Sequence, residues 1–81
     1  MENRRISIML DRPSDVAEFV NTTSNFPRNI ELVASHGKYT VDARSIMGIF
    51  SLNLSEPITI EMRTDTDILD EYINKLSKWR V

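Results

Sequence analysis

The sequence contains no cysteine, only two glycines and three prolines, and a single histidine. The absence of cysteine excludes disulfide bonds, thiolate nucleophiles and cysteine-ligated zinc sites, and it is typical of a reducing compartment. One histidine without a spaced set of further ligands does not predict a metal site. The few glycines and prolines fall singly and form no linker, so we expect residues 1–81 to fold as a single domain.

Long apolar runs and an excess of one charge are also missing. No apolar run approaches the length of about 18 residues that a membrane-spanning helix requires, and the first residues lack the apolar segment of a secretory signal. Ten basic and twelve acidic residues are interspersed and give a net charge of −2. This pattern does not favour nucleic acid as a partner. We therefore expect a cytoplasmic protein that binds neither membrane nor nucleic acid.

Apolar and polar residues alternate in four segments, which predicts four strands. The alternating apolar positions are Ile6, Ile8 and Leu10, then Ile30, Leu32 and Ala34, then Tyr39, Val41 and Ala43, and finally Ile58, Ile60 and Met62. Gly37 lies between the second and third segments and supplies the positive φ of a tight turn. The second and third strands are therefore predicted to form a hairpin.

Apolar residues at spacings of three and four predict three helices. The first covers residues 14–25 and ends before Pro27, with Phe26 folding back onto the core. The second is short and begins at Ser45, and the third begins near Asp65 or Thr66 and continues to residue 79. The order βαββαβα predicts an α+β open-faced sandwich, in which three helices cover one face of a four-stranded antiparallel sheet.

The residues alone do not indicate an enzyme. No paired carboxylates, nucleophile with a base or phosphate-binding glycine loop is visible, and no cofactor is expected. A ferredoxin-like small-molecule-binding or oligomerising domain shares the first six elements in the same order, and remains an alternative. Its expected mark is a glycine-rich loop after the first strand, where this sequence has Asp-Arg-Pro-Ser at residues 11–14.

Two segments carry a resemblance to a known family. Residues 35–38 read Ser-His-Gly-Lys, and residues 42–52 read Asp-Ala-Arg-Ser-Ile-Met-Gly-Ile-Phe-Ser-Leu. They are similar to the Ser-Asn-Gly-Lys turn and the Ala-Lys-Ser-Ile-Met-Gly segment of HPr, the histidine-containing phosphocarrier family of the sugar phosphotransferase system. Ala17, Phe19 and Val20 also match the Ala-x-Phe-Val pattern of the family's first helix. The resemblance covers nearly the whole chain and implies the HPr-like fold.

The loop before the first helix departs from that family. The family's loop reads Gly-x-His-x-Arg-Pro-Ala, whereas residues 9–14 here read Met-Leu-Asp-Arg-Pro-Ser and contain no histidine. The resemblance therefore predicts an HPr-like protein that does not carry a phosphoryl group on histidine, and favours a regulatory or adaptor role. A phosphocarrier with a displaced acceptor, such as His36, is the alternative. The simpler interpretation of His36 is a turn residue beside Gly37.

The resemblance also implies candidate site residues. The serine matching Ser45 is phosphorylated by a dedicated kinase in Gram-positive members, although Ser45 also suits a helix N-cap without any modification. The family docks enzyme I, the HPr serine kinase and a catabolite repressor through this helix and the carrier loop. The candidate contacts are therefore Arg12, Arg44, Met47, Ile49 and Phe50, with Met47 the residue expected to be most exposed. The apolar residues could instead belong to the core, and both arginines could be ordinary surface residues.

Overall fold

The structure is a computed structural model, and it describes residues 2–81. Its elements are β1 (Glu2–Ile8), α1 (Pro13–Ser24), β2 (Glu31–His36), β3 (Tyr39–Asp42), α2 (Ile46–Phe50), β4 (Ile58–Thr64) and α3 (Leu69–Asn74), followed by a 3-10 turn (Ser77–Trp79). The four strands, the three helices and the order βαββαβα are as the sequence predicts.

The four strands form one antiparallel sheet in the order β1-β4-β2-β3. Ile60 at the centre of β4 lies opposite Ile6 of β1 on one side and Ala34 of β2 on the other. Burial alternates along β4, where Ile58, Ile60, Met62 and Thr64 are buried and the intervening residues are partly exposed. The alternation read from the sequence therefore assigns the correct face of β1, β2 and β4 to the core. In β3 the prediction is wrong for Tyr39, which is exposed, because β3 is the edge strand and none of its residues is fully covered.

The core lies between this sheet and the helices. α1 contributes Val16 and Phe19, both fully buried, and the ring of Phe19 packs edge-on against Trp79 at 5.6 Å between centroids. Phe26, just after α1, is also buried and contacts Tyr72 of α3. The expectation that Phe26 folds back onto the core is confirmed.

The hairpin between β2 and β3 turns at Gly37, which has a φ of 60°. β-carbon-bearing residues are disfavoured in this left-handed region, so a glycine here lets the two strands turn within two residues. The hairpin places His36 opposite Tyr39. The glycine predicted from the sequence is therefore the one that the turn requires.

The C-terminal segment differs from the prediction in two respects. α3 ends at Asn74, and the amides of Lys75 and Leu76 then bond to carbonyls three residues back, which leads into the 3-10 turn. Neither Asp65 nor Thr66 caps α3; the helix begins at Leu69, whose amide bonds to the carboxylate of Glu2. A capping group from a distant strand thus replaces the predicted local one.

Candidate functional site

The loop between β1 and α1 ends at Arg12, which is the N-cap residue of α1. The Arg12 amide donates to the carboxylate of Asp15 at 3.2 Å, and Pro13 occupies the first helical position, where a missing N–H costs nothing. The Arg12 side chain is 74% exposed, with one guanidinium nitrogen 3.5 Å from Asp15 Oδ1. Its cation is therefore presented at the surface, beside the start of the helix.

A cleft of about 300 Å³ separates this loop from α2 and from the segment that follows it. It is lined by Leu10, Asp11, Arg12, Pro13, Val16, Phe50, Leu54 and Ser55. Two smaller depressions lie elsewhere, one lined by Glu2 and residues 65–67, the other between the end of α1 and α3. The largest of the three thus has an apolar floor and one exposed cation at its rim.

Ser45 is the N-cap of α2, whose first helical residue is Ile46, so the predicted start of this helix is confirmed. The Ser45 Oγ accepts a hydrogen bond of 3.0 Å from the amide of Gly48. Gly48 also permits close packing, because a β-carbon added there would lie 3.1 Å from the β-carbon of Val41 in β3. The bond at Oγ uses a lone pair and leaves the O–H hydrogen of Ser45 without a partner among the hydrogen bonds of residues 2–81.

One side of α2 is exposed and apolar. Met47 is 78% exposed, Phe50 47% and Ile46 41%, and we call these three residues the α2 face. Phe50 also lines the cleft, so the α2 face and the cleft form a continuous surface. Scattered apolar residues are ordinary on a protein surface, whereas three on one helical turn beside a cleft are typical of a binding surface.

Ile49 does not belong to this surface. Its side chain is fully buried in the core, so its assignment as a partner contact is wrong. A helix of only five residues has apolar side chains on several sides, and the packing of α2 against β3 selects Ile49 for the interior. Met47, by contrast, is as exposed as the sequence predicts.

Arg44 is not available to a partner in the predicted way either. Its guanidinium donates to the backbone carbonyls of Ile30, Phe26 and Pro27, all in the loop between α1 and β2. Burial lowers the pKa of Arg44 below its ordinary range, the nearby charge of Arg28 lowers it further, and Asp42 opposes both effects. Arg44 is thus a structural residue that joins two loops.

The fold and this site match one family. The family described as the PTS HPr component phosphorylation site matches residues 12–79 of the chain. The chain belongs to the HPr family. No curated protein matches the chain in sequence. HPr proteins are phosphocarriers of the phosphotransferase system and interact with its other proteins.

Two solved HPr structures are similar to this chain over nearly its full length. HPr-C-His from Thermoanaerobacter tengcongensis is 28% identical with a TM-score of 0.68, covering 96% of this chain and 89% of its own. The phosphocarrier protein HPr from Bacillus anthracis strain Ames is 26% identical with a TM-score of 0.65, covering 99% of this chain and 96% of its own. The family match and these neighbours support the HPr interpretation over the ferredoxin-like alternative.

The single histidine of this HPr-family chain lies outside the cleft. His36 is at the end of β2, and its Nε2 is 2.7 Å from the Glu56 carboxylate in the segment after α2. It does not line the cleft that Arg12 borders. The contact with Glu56 joins the hairpin to the segment before β4.

The sequence did not identify all the residues that line the cleft, nor a buried contact that lies outside it. Val16 and Leu54 line the cleft, although the sequence indicates only that they are apolar residues of a helix and of the stretch after it. Thr23 is fully buried and donates to the carbonyl of Ala43, immediately before Arg44. The only signal for this contact was a hydroxyl at a core position of α1.

Within residues 2–81, no helix is long and apolar enough to span a membrane. In the same part of the chain, no group of three or more histidine or acidic side chains is arranged to hold a metal ion.

Proposed function

We propose that this HPr-family chain is a regulatory or adaptor protein that binds other proteins through the α2 face and the adjoining cleft. It acts without catalytic turnover, as a single domain in the cytoplasm, and it does not carry a phosphoryl group on histidine. Phosphorylation at Ser45 controls its binding. The observation that carries this proposal is the intact, exposed α2 face beside a loop without histidine.

The loop chemistry supports the absence of histidine transfer. A phosphocarrier needs a nucleophile that forms a labile bond to phosphorus. Arg12, at the N-cap of α1, is a permanently charged guanidinium and has no lone pair to offer. His36 is paired with Glu56 away from the cleft, so an incoming donor would meet a carboxylate beside the ring.

The surface supports protein binding. Met47 and Phe50 are exposed side chains that adapt to a partner or contribute a large apolar contact, as expected at the centre of an interface. Arg12 at the opposite rim of the cleft offers a guanidinium to a partner carboxylate or phosphate. A partner that covers both the α2 face and Arg12 would bury apolar surface and gain one directional charged contact.

Ser45 is the proposed control point. In the transfer, a bond forms between Ser45 Oγ and the γ-phosphorus of ATP, the bond from that phosphorus to the β,γ-bridging oxygen breaks, and ADP leaves. The hydroxyl hydrogen passes to a base of the kinase. The phosphate adds about two negative charges next to Ile46 and Met47, and so changes which partner the α2 face accepts.

Intact mass spectrometry tests this function in two reactions. One contains phosphoenolpyruvate and enzyme I, the other ATP and HPr serine kinase, and the Bacillus anthracis HPr serves as the positive control for both. We expect one added phosphate with the kinase only, none in Ser45→Ala, and one in Ser51→Ala, a matched serine at the other end of α2. Phosphate gained from enzyme I would contradict the proposal, and a His36→Gln variant would then show whether the acceptor is displaced.

A binding experiment tests the docking surface separately. The Met47→Ala variant is titrated with the kinase by calorimetry, and Tyr39→Ala, another exposed apolar residue, is the control. We expect weaker binding of Met47→Ala by at least about 1 kcal/mol, because buried interface side chains contribute more than peripheral ones. Equal affinities of the two variants would exclude the α2 face as the docking surface.

A further inference from the structure

Arg44, the residue immediately before Ser45, forms hydrogen bonds to a loop that is distant in sequence. Its Nη1 donates to the Ile30 carbonyl at 3.1 Å, and its Nη2 donates to Pro27 at 2.9 Å and to Phe26 at 3.4 Å. The three acceptors all lie in the connection between α1 and β2. Two nitrogens of one planar group therefore hold three carbonyls of a single loop.

The backbone around Arg44 is anchored as well. The Ala43 carbonyl accepts from the buried Thr23 Oγ1 at 3.0 Å, and the Ala43 amide donates to the Leu32 carbonyl at 3.3 Å. The Arg44 amide donates to the Asp42 carboxylate at 2.9 Å. The segment that leads into α2 is thus fixed before the helix begins.

α2 depends on this segment because the helix is short. Five residues make little more than one turn, and such a helix is not stable in isolation. Its first bonds both involve Ser45, whose carbonyl accepts from Ile49 at 2.9 Å and whose Oγ accepts from Gly48 at 3.0 Å. A displacement of residue 44 would therefore be transmitted directly to the α2 face.

We propose that Arg44 is a positioning residue that holds Ser45 and the α2 face in the arrangement that partners bind. It acts through the fork of its guanidinium rather than through its charge, and it does not itself contact the partner. This inference rests on the proposed docking function. A preorganised surface binds more tightly because less conformational freedom is lost on binding.

The environment of Arg44 fits a positioning role better than direct binding of a negatively charged group on a partner. Its Nε is buried and has no hydrogen-bond partner within residues 2–81, and no carboxylate forms an ion pair with the guanidinium in that part of the chain. Arg44 as a whole is half-buried, and it is the unpaired N–H at Nε that is costly to keep away from water. Lysine would retain the charge, but its single nitrogen cannot occupy the two positions of Nη1 and Nη2.

Hydrogen exchange followed by NMR tests the positioning role without any partner. Arg44→Lys and Arg44→Met are compared with the wild type, and Arg12→Met, which removes an exposed arginine, is the matched control. In both Arg44 variants we expect exchange about tenfold faster at the amides of Gly48 and Ile49, with no change at Ile60 in the sheet. We expect no change at any of these amides in Arg12→Met.

Kinetics with the HPr serine kinase and ATP supply the second measurement. Both Arg44 variants should raise the KM for the protein about tenfold at unchanged kcat, to the same extent at low and high salt.

An Arg44→Lys protein with wild-type exchange and KM would overturn the proposal, because charge alone would then suffice. Faster exchange at Ile60 to the same extent as at Gly48 would also overturn it, since the role would be global. If the wild type accepts no phosphate, the proposed control at Ser45 fails, while the exchange measurement still decides the role of Arg44.

Discussion

The backbone amide of Leu69, at the start of α3, donates a hydrogen bond of 3.1 Å to the carboxylate of Glu2 in β1. Arg4 lies beside this contact, with its Nη1 3.7 Å from Glu2 Oε2 and 2.5 Å from Asp70 Oδ1. The first amides of a helix have no partner within the helix, and here the other end of the chain supplies one. β1 and α3 are therefore joined through a capping interaction as well as through the core.

Removal of this capping group should destabilise the protein. We expect Glu2→Ala to lower the free energy of unfolding by about 1 kcal/mol, the usual effect of losing a capping side chain. Asp65→Ala is the control, because Asp65 is exposed and does not cap α3, and it should change the stability by less than about 0.5 kcal/mol. Urea unfolding followed by circular dichroism measures both, and equal losses would contradict the role of Glu2.

Truncation of two apolar residues of α2 should lower the free energy of unfolding by very different amounts. Ile49→Ala leaves a cavity in the core and should cost about 2–5 kcal/mol of stability, because its side chain is fully buried. Met47→Ala removes an exposed side chain and should cost less than about 0.5 kcal/mol. Guanidinium unfolding of the two variants distinguishes these outcomes. A larger loss for Met47→Ala would mean that α2 packs on its opposite side.

The buried hydroxyl of Thr23 should be important for stability. Valine at this position keeps the shape of the side chain but leaves the Ala43 carbonyl without the donor that now lies at 3.0 Å, and we expect a loss of about 1–3 kcal/mol. Thr22→Val is the matched control, since the Thr22 hydroxyl bonds to an exposed turn of the same helix. Thermal unfolding of both variants should show the larger decrease in Tm for Thr23→Val. Similar decreases would mean that the bond to Ala43 contributes little.

Glu61 lies at the centre of the open face of the sheet, among groups that favour its charged form. Asn3 and Arg63 each donate to its carboxylate at 3.0 Å, and Arg5 lies 3.7 Å away. The hydrogen bond from Asn3, followed by that from Arg63, holds the pKa of Glu61 below its ordinary value of 4.5. The effect of burial opposes this shift and is smaller.

The direction of this shift predicts how stability depends on pH. A carboxylate with a lowered pKa in the folded state contributes stability that is fully present above its unfolded pKa and is lost as the pH falls through its folded pKa. Glu61→Gln should therefore be less stable than the wild type at neutral pH, and the difference should shrink at about pH 3. Urea unfolding of both proteins at the two pH values measures this change. A difference that grows in acid would contradict the assigned direction.

The sequence predicts the elements well because each has a strong local signal. The period-two alternation in Ile58, Ile60 and Met62 determines which face of β4 is buried, and Gly37 determines where the hairpin turns. Ser45 is recognisable as an N-cap because a side-chain acceptor at a helix start acts within three residues. Features whose physical cause lies within one turn or one strand are thus readable from the sequence.

Features that depend on distant residues are not readable in this way. The spacing of three between Leu76 and Trp79 predicts a continuing α-helix, but a 3-10 turn satisfies it equally well, because its side chains repeat every three residues. The acceptors of Arg44 are carbonyls more than ten positions away in sequence, and carbonyls have no sequence signature. The burial of Ile49 depends on the angle at which α2 meets β3, which apolar composition does not specify.

β4 is the last strand in the sequence, yet it lies between β1 and β2 in the sheet. Every strand pair except the β2–β3 hairpin therefore includes residues 58–64. While the ribosome is still translating the part before Ile58, β1 has no strand to pair with, and its apolar face has no sheet to join. Contacts between such distant positions slow folding and expose unpaired edges while it proceeds. The four-stranded sheet can consequently assemble only after residues 58–64 have been synthesised, and until then the β2–β3 hairpin is the only strand pair available among the described residues.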